Sequence, residues 1–163
     1  QVQGTALLPD EFNGGKFSES ALVHLAVPGV IDLRYPQQSM LELSGYEGGA
    51  GRARLHPYDI RSQQLKANLV FLSSTELAQQ PVTAFITRIG FVSELTESGV
   101  GTVITRVWRS AGAVPESLML DFYRRLGETS DAAEALAKSK RDYIARQRAN
   151  GLNDWAGLQL FIR

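Results

Sequence analysis

Leu69-Val-Phe-Leu-Ser-Ser-Thr-Glu76 opens with four consecutive apolar residues and turns polar within one step. Unbroken apolarity over a length too short for a helix predicts a strand covered on both faces, as inside a parallel sheet. Upstream, Ala21-Leu-Val-His-Leu-Ala-Val27 is a second such run, closed by the turn-forming pair Pro28-Gly29. Downstream, Thr102-Val-Ile-Thr-Arg-Val-Trp108 is a third, rich in β-branched residues. Between the second and third runs, Phe85, Ile89, Val92 and Leu95 recur at helical spacing, and Gly99 stands just past the end. That spacing predicts a helix over Val82–Ser98. Strands separated by helices form right-handed crossovers and a mostly parallel sheet with helices on its faces.

The remaining segments fit this frame. Met40–Ser44 and Arg52–Leu55 alternate apolar and polar residues around a glycine-rich tip, the pattern of a hairpin. That tip is not a phosphate loop, because it joins two half-exposed strands and lacks the Lys-Ser/Thr ending. Asp59–Leu65 can supply one or two helical turns. Pro115 opens a helix with the stripe Leu118, Met119, Phe122, Tyr123 and Leu126, expected to stop at Gly127. Asp131 followed by Glu134 has the spacing of a capping box and starts a helix to about Ala149. Leu158–Ile162 closes the chain as a last strand.

Composition narrows the chemistry. The 163 residues suit one domain, and 44% hydrophobic with 21% charged residues is globular. Seventeen Lys and Arg offset seventeen Asp and Glu, so no overall field draws in nucleic acid or an anionic membrane, and neither is expected as a partner. The cluster Lys138, Lys140, Arg141, Arg146 and Arg148 therefore reads as a solvated helix face. There is no cysteine, which removes disulfides, a thiolate nucleophile and Cys-ligated metal without deciding the compartment. Two histidines, His24 and His56, exclude a multi-histidine metal site, and no cofactor is expected. Residues 1–20 read as a polar lead-in and 21–163 as the domain proper.

Several segments together resemble the CHAT domain, a bacterial family of caspase-like peptidases. His24-Leu-Ala-Val-Pro-Gly-Val-Ile-Asp32 is similar to its His-x-Ala-Thr-His-Gly-x-x-Asp segment. Leu69–Glu76 is similar to its Leu-Val-Val-Leu-Ser-Ala-Cys-Glu. Gly99–Trp108 with Leu118-Met119 and Phe122-Tyr123 resembles its Gly-Ala-x-x-Val-Val-x-x-x-Trp strand and the helix after it. Asp154-Trp-Ala-Gly-Leu158 resembles its closing segment. The resemblance implies an α/β, three-layer caspase-like sandwich whose first strands are missing from this sequence, so that residues 21–163 form the C-terminal part of a longer unit. It also implies a strand at Ala21–Val27 whose outer edge is covered by Gln1–Leu8, by upstream chain or by a second copy.

The family's base is the second histidine of its first segment, and its nucleophile is the cysteine. The matching positions here are Pro28 and Thr75, and neither group can do that work. The acidic residues that follow the family's tryptophan in members cleaving after basic residues are replaced by Arg109-Ser-Ala-Gly112. The resemblance therefore implies a vacated cleft at Pro28, Gly29, Asp32, Ser74, Thr75, Glu76, Trp108, Arg109, Ala111 and Gly112, with no catalytic residue among them. Ligands of parallel sheets sit beyond the carboxyl ends of the strands, where these positions fall. Trp108 and Trp155 are expected to pack in the core.

His24 lies four residues before Pro28, roughly 13 Å back along an extended strand at ~3.3 Å per residue, beyond reach of Thr75. It is expected to be a strand histidine bonded to a backbone carbonyl, and His56, before Pro57, a solvated or turn-capping one. Ser73-Ser74-Thr75 lacks the Gly-x-Ser-x-Gly frame and a placed base. The leading expectation is an inactive caspase-like domain acting through a protein or peptide partner, including upstream chain or a second copy. The alternatives are a hydrolase using Thr75 or Ser74 with a base from outside this chain, and a ligand-binding module with Asp32 and Glu76 as polar landmarks.

Overall fold

A computed structural model describes residues 19–30, 32, 34–43, 54–61, 63–73, 88–106, 114–147 and 155–163. The strands are β1 (Leu22–Leu25), β2 (Gly29–Val30), β3 (Met40–Glu42), β4 (Arg54–Leu55), β5 (Leu69–Leu72), β6 (Thr102–Arg106) and β7 (Leu158–Ile162). The helices are α1 (Pro57–Arg61), α2 (Ser93–Glu97), α3 (Glu116–Thr129) and α4 (Ala132–Gln147), with a short 3-10 turn at Pro36–Gln38.

The main sheet runs β1-β5-β6-β7. β1, β5 and β6 are parallel, with Leu22 beside Leu69 and Leu69 beside Thr102, while β7 closes the sheet antiparallel to β6. All four residues of β5 are buried, as an interior strand requires. Their alternate side chains feed two cores. Leu69 and Phe71 join Ile104, Leu118, Phe122, Leu136 and Tyr143 under α3 and α4. Val70 and Leu72 join Val23, Leu25, Val103, Phe91 and Leu95 on the opposite face, under α1, α2 and the small sheet. The chain is thus α/β in three layers with a mostly parallel sheet.

β1 departs from expectation. Leu22 is exposed and His24 half-buried, so this strand is covered on one face and open on part of the other. The reason is position, since β1 is the outer strand of the sheet among the described residues. Residues 1–18, which include the segment expected to cover that edge, lie outside the described residues. The hairpin is present as β3 paired with β4, Leu41 facing Leu55, and its tip at 44–53 is outside the described residues. Gly29, read with Pro28 as a turn, instead opens β2, in which Gly29 and Val30 pair with Leu41 and Met40 as a third strand of this small antiparallel sheet.

One expected helix is broken within its described part and another runs past its expected end, each for a physical reason. The described part of the helix expected over Val82–Ser98 starts at Arg88, and Gly90 breaks it with non-helical angles (φ −91°, ψ −120°) where it passes the Pro36 carbonyl. α3 runs through Gly127 to Thr129 and is closed by Ser130 in the left-handed region (φ 57°), whose N–H returns to the Leu126 carbonyl. Asp131 caps α4 through Oδ1, which accepts from the N–H groups of Ala133 (2.8 Å) and Glu134 (3.0 Å). Glu134 turns to Lys138 instead of completing the box. The basic face of α4 is largely paired: Arg146 bonds Asp121, and Lys140 donates to the Leu158 carbonyl, tying α4 to β7.

The layer opposite α3 and α4 is pinned by one buried carboxylate. Glu94 of α2 is 1% exposed and accepts from two nitrogens of Arg61 on α1 (2.7 and 2.8 Å) and from Gln37 in the 3-10 turn (3.2 Å). Hydrogen bonding from Arg61, more than offsetting burial, holds this carboxyl below its ordinary 4.5. A depressed carboxylate contributes stability that is present above the unfolded value and is lost as pH falls through the folded one. Melting temperatures of the wild type are expected to drop on acidification below 4.5, with a shallower slope for Glu94→Gln. Gly99, at φ +112°, would place a Cβ 2.6 Å from the Leu65 carbonyl oxygen, which is fixed where Leu65 N–H bonds Ser98. Gly99→Ala should therefore lower unfolding stability by about 2 kcal/mol in urea titration.

Candidate functional site

The carboxyl ends of β1 and β5 lie side by side, joined by the Ser73 N–H on the Leu25 carbonyl (3.1 Å). Register places His24 beside Phe71, so the next residue of the chain on the same face, one past the end of β5, is Ser73. Here the sheet brings together three groups that the sequence keeps far apart. His24 Nε2 is 2.6 Å from Ser73 Oγ, and His24 Nδ1 is 2.9 Å from the Tyr123 hydroxyl of α3. The imidazole lies flat on Phe71, with ring centroids 4.9 Å apart and planes 9° apart. Phe122 meets Phe71 edge-on and so holds the platform from beneath α3.

A neutral imidazole carries one proton, so two arrangements satisfy both bonds. Either the Ser73 hydroxyl donates to Nε2 while Nδ1–H donates to the Tyr123 oxygen, or Tyr123 donates to Nδ1 and Nε2–H donates to Ser73. Burial pushes the His24 pKa below its ordinary 6.5 and raises that of the Tyr123 phenol, so both stay uncharged near neutrality.

This revises the expected role of His24. Its partners are side-chain hydroxyls, not a backbone carbonyl. β1 ends at Leu25, so His24 sits next to the strand end instead of four residues behind it. Ser73, two residues before Thr75, lies within its reach.

Of the positions that the resemblance implies as a vacated cleft, Pro28, Gly29 and Asp32 are described, while Ser74, Thr75, Glu76, Trp108, Arg109, Ala111 and Gly112 lie outside the described residues. Pro28 is exposed, and its carbonyl accepts from Glu42 N–H (2.7 Å), binding the loop after β1 to the small sheet. Gly29 is buried within β2. Asp32 shapes its own loop: Oδ1 accepts from the N–H groups of Arg34 and Tyr35 (2.8 Å each), and its N–H donates to Ser39 Oγ (3.0 Å). A carboxylate so occupied is an architectural group first. Trp155 is partly buried against the core under α3 and α4. His56 lies at the start of α1, its N–H held by Asp59 Oδ2 (2.8 Å), its ring bonded to the Ser39 carbonyl (3.1 Å) and stacked on Tyr58. Among the described residues no group of three or more His, Asp or Glu converges as metal ligands.

The amino-acid sequence that builds this arrangement is matched by a family model. The CHAT domain model aligns with residues 6–162. The chain belongs to the CHAT domain family. The CHAT match takes in both described cores and the strand ends around His24 and Ser73, and it reaches back into the segment read as a polar lead-in. No curated protein matches the chain.

The His24 cluster has a readable pH signature. A buried base with a lowered pKa resists protonation in the folded state while the unfolded chain takes up the proton. The unfolded state then binds more protons, so stability falls as pH drops from 6.5 towards the folded value. Thermal melts between pH 8 and 5 should show this loss in the wild type, and His24→Gln should flatten that part of the profile.

Proposed function

We propose that this CHAT domain has no peptidase activity and works by binding a protein partner across the carboxyl end of its sheet. The observation that carries the reading is the absence of cysteine at all 163 positions, with threonine at the one that matches the family's nucleophile. A threonine hydroxyl without a base to take its proton is a poor nucleophile, and a proline at the position matching the base has no group to titrate. Pro28 instead has an architectural role, anchoring the β1–β2 loop through its carbonyl.

The partner-binding part is supported by what stands on the surface around that loop. Val30 is 44% and Tyr35 55% exposed, and Pro28 is exposed as well. An aromatic ring and an aliphatic side chain held on ordered backbone are the kind of anchor that protein interfaces use.

Two measurements test the proposal. Purified protein should release no fluorophore from Lys- or Arg-containing peptides above the buffer rate, and Thr75→Ala should behave identically; release that disappears in Thr75→Ala would overturn the first half. In proximity labelling of the full-length protein, a Val30→Asp, Tyr35→Ala double variant that folds normally should lose a neighbour held by the wild type. Binding to that neighbour, once purified, should weaken at least about tenfold, as loss of an interface anchor does. Unchanged neighbours and affinity would count against the surface.

A further inference from the structure

We propose that Ser73 is an acyl-accepting nucleophile activated by His24, a site separate from the positions resembling the family's dyad and suited to small activated carboxylic esters. This goes beyond the partner-binding reading and does not rest on it. The geometry is that of an activated serine: nucleophile and base at 2.6 Å, and the far ring nitrogen of the base at 2.9 Å from an orienting hydroxyl on Tyr123. Stacking on Phe71 fixes the plane of the ring, so Nε2 stays directed at Oγ. The three groups come from β1, the residue just past β5 and α3, and Ser73 stands beyond the carboxyl end of an interior parallel strand, where ligands of such sheets collect.

In the step assigned to the site, Ser73 Oγ forms a bond to the ester carbonyl carbon while its proton passes to His24 Nε2. The tetrahedral adduct collapses by breaking the bond from carbon to the leaving oxygen, which takes the proton from Nε2. Water then attacks the acyl-serine by the same exchange, returning the proton to Ser73 and releasing the carboxylic acid. The required tautomer has Nδ1–H donating to the Tyr123 oxygen. Tyr123 is a positioning residue, holding the ring and stabilising the imidazolium more weakly than a carboxylate would.

Burial sets the substrate class. Ser73 is only 7% exposed while His24 and Tyr123 are half-buried, so an acyl group must reach a recessed oxygen. An acetyl-sized acyl group is therefore favoured over a peptide. The N–H of Ser73 is committed to Leu25, so the enhancement assigned here is that of the base alone, about 100-fold. The groups facing the imidazole from β5 and α3 are Ser73, Phe71 and Tyr123, none of them charged at neutral pH.

The test treats the purified full chain with p-nitrophenyl acetate and, separately, with a fluorophosphonate probe, followed by peptide mapping. The expected result is one adduct, on Ser73, absent from Ser73→Ala and formed about 100-fold more slowly by His24→Gln. The wild-type labelling rate should be level near pH 7–8 and fall as acid protonates His24, below 6.5. Tyr123→Phe should keep the site of labelling and move that acid limb to lower pH, because the imidazolium loses an acceptor. No adduct on the wild type, an adduct that persists in Ser73→Ala, or a rate indifferent to both His24→Gln and pH would overturn the proposal. The peptide assay above is independent of all these outcomes, so failure here leaves the partner-binding reading standing.

Discussion

Burial of both faces of Leu69-Val-Phe-Leu72 is the constraint from which the other layers follow. Every side chain of this strand is removed from water, so each face of the sheet needs its own cover. α3 and α4 supply it on one side, and α1, α2 and the small antiparallel sheet on the other. A four-residue strand thereby sets a three-layer architecture around itself. The tight approach at Gly99 and the buried Glu94 belong to the same demand, because chain returning to β6 must cross the second layer with its polar groups matched.

At its carboxyl end, the same strand passes from the apolar core to a buried hydroxyl. Its alternation continues past Phe71 to Ser73, so a hydroxyl occupies the position on the α3 face where a further apolar residue would extend the core. His24 and Tyr123 satisfy that hydroxyl from the neighbouring strand and the covering helix. A buried polar group needs such partners whether or not it reacts, and their arrangement follows from packing before any function is considered. The positions resembling the family's dyad, Thr75 and Pro28, follow two residues after Ser73 and three residues after Leu25 in the sequence.

Apolar runs made the main strands legible, since an uninterrupted buried strand and a striped helix leave patterns that single residues do not. The parallel order also followed, because helices between strands leave few other connections. The helix ends were less legible. Gly127 signals a stop, yet α3 passes through it, because packing against the sheet and the closing turn at Ser130 outweigh one glycine's cost in a helix. The two-residue β2 was hidden in a Pro-Gly turn signal, since its pairing depends on a partner at Met40–Leu41 that local patterning does not specify. For the site, the residues resembling the family's motif could be read directly, whereas Ser73, His24 and Tyr123 could not be joined.

The sequence alone determined the fold class and the lack of a thiol among these 163 residues, because these depend on residue type and on short-range periodicity, while Pro28 and Thr75 stand out only through the resemblance to the family's motif. Only the tertiary structure decided which hydroxyls His24 meets. That pairing depends on the register of β1 against β5 and on which turn of α3 lies above them. Both are set by how whole layers pack, and separations of 49 and 99 residues leave no local trace in the chain.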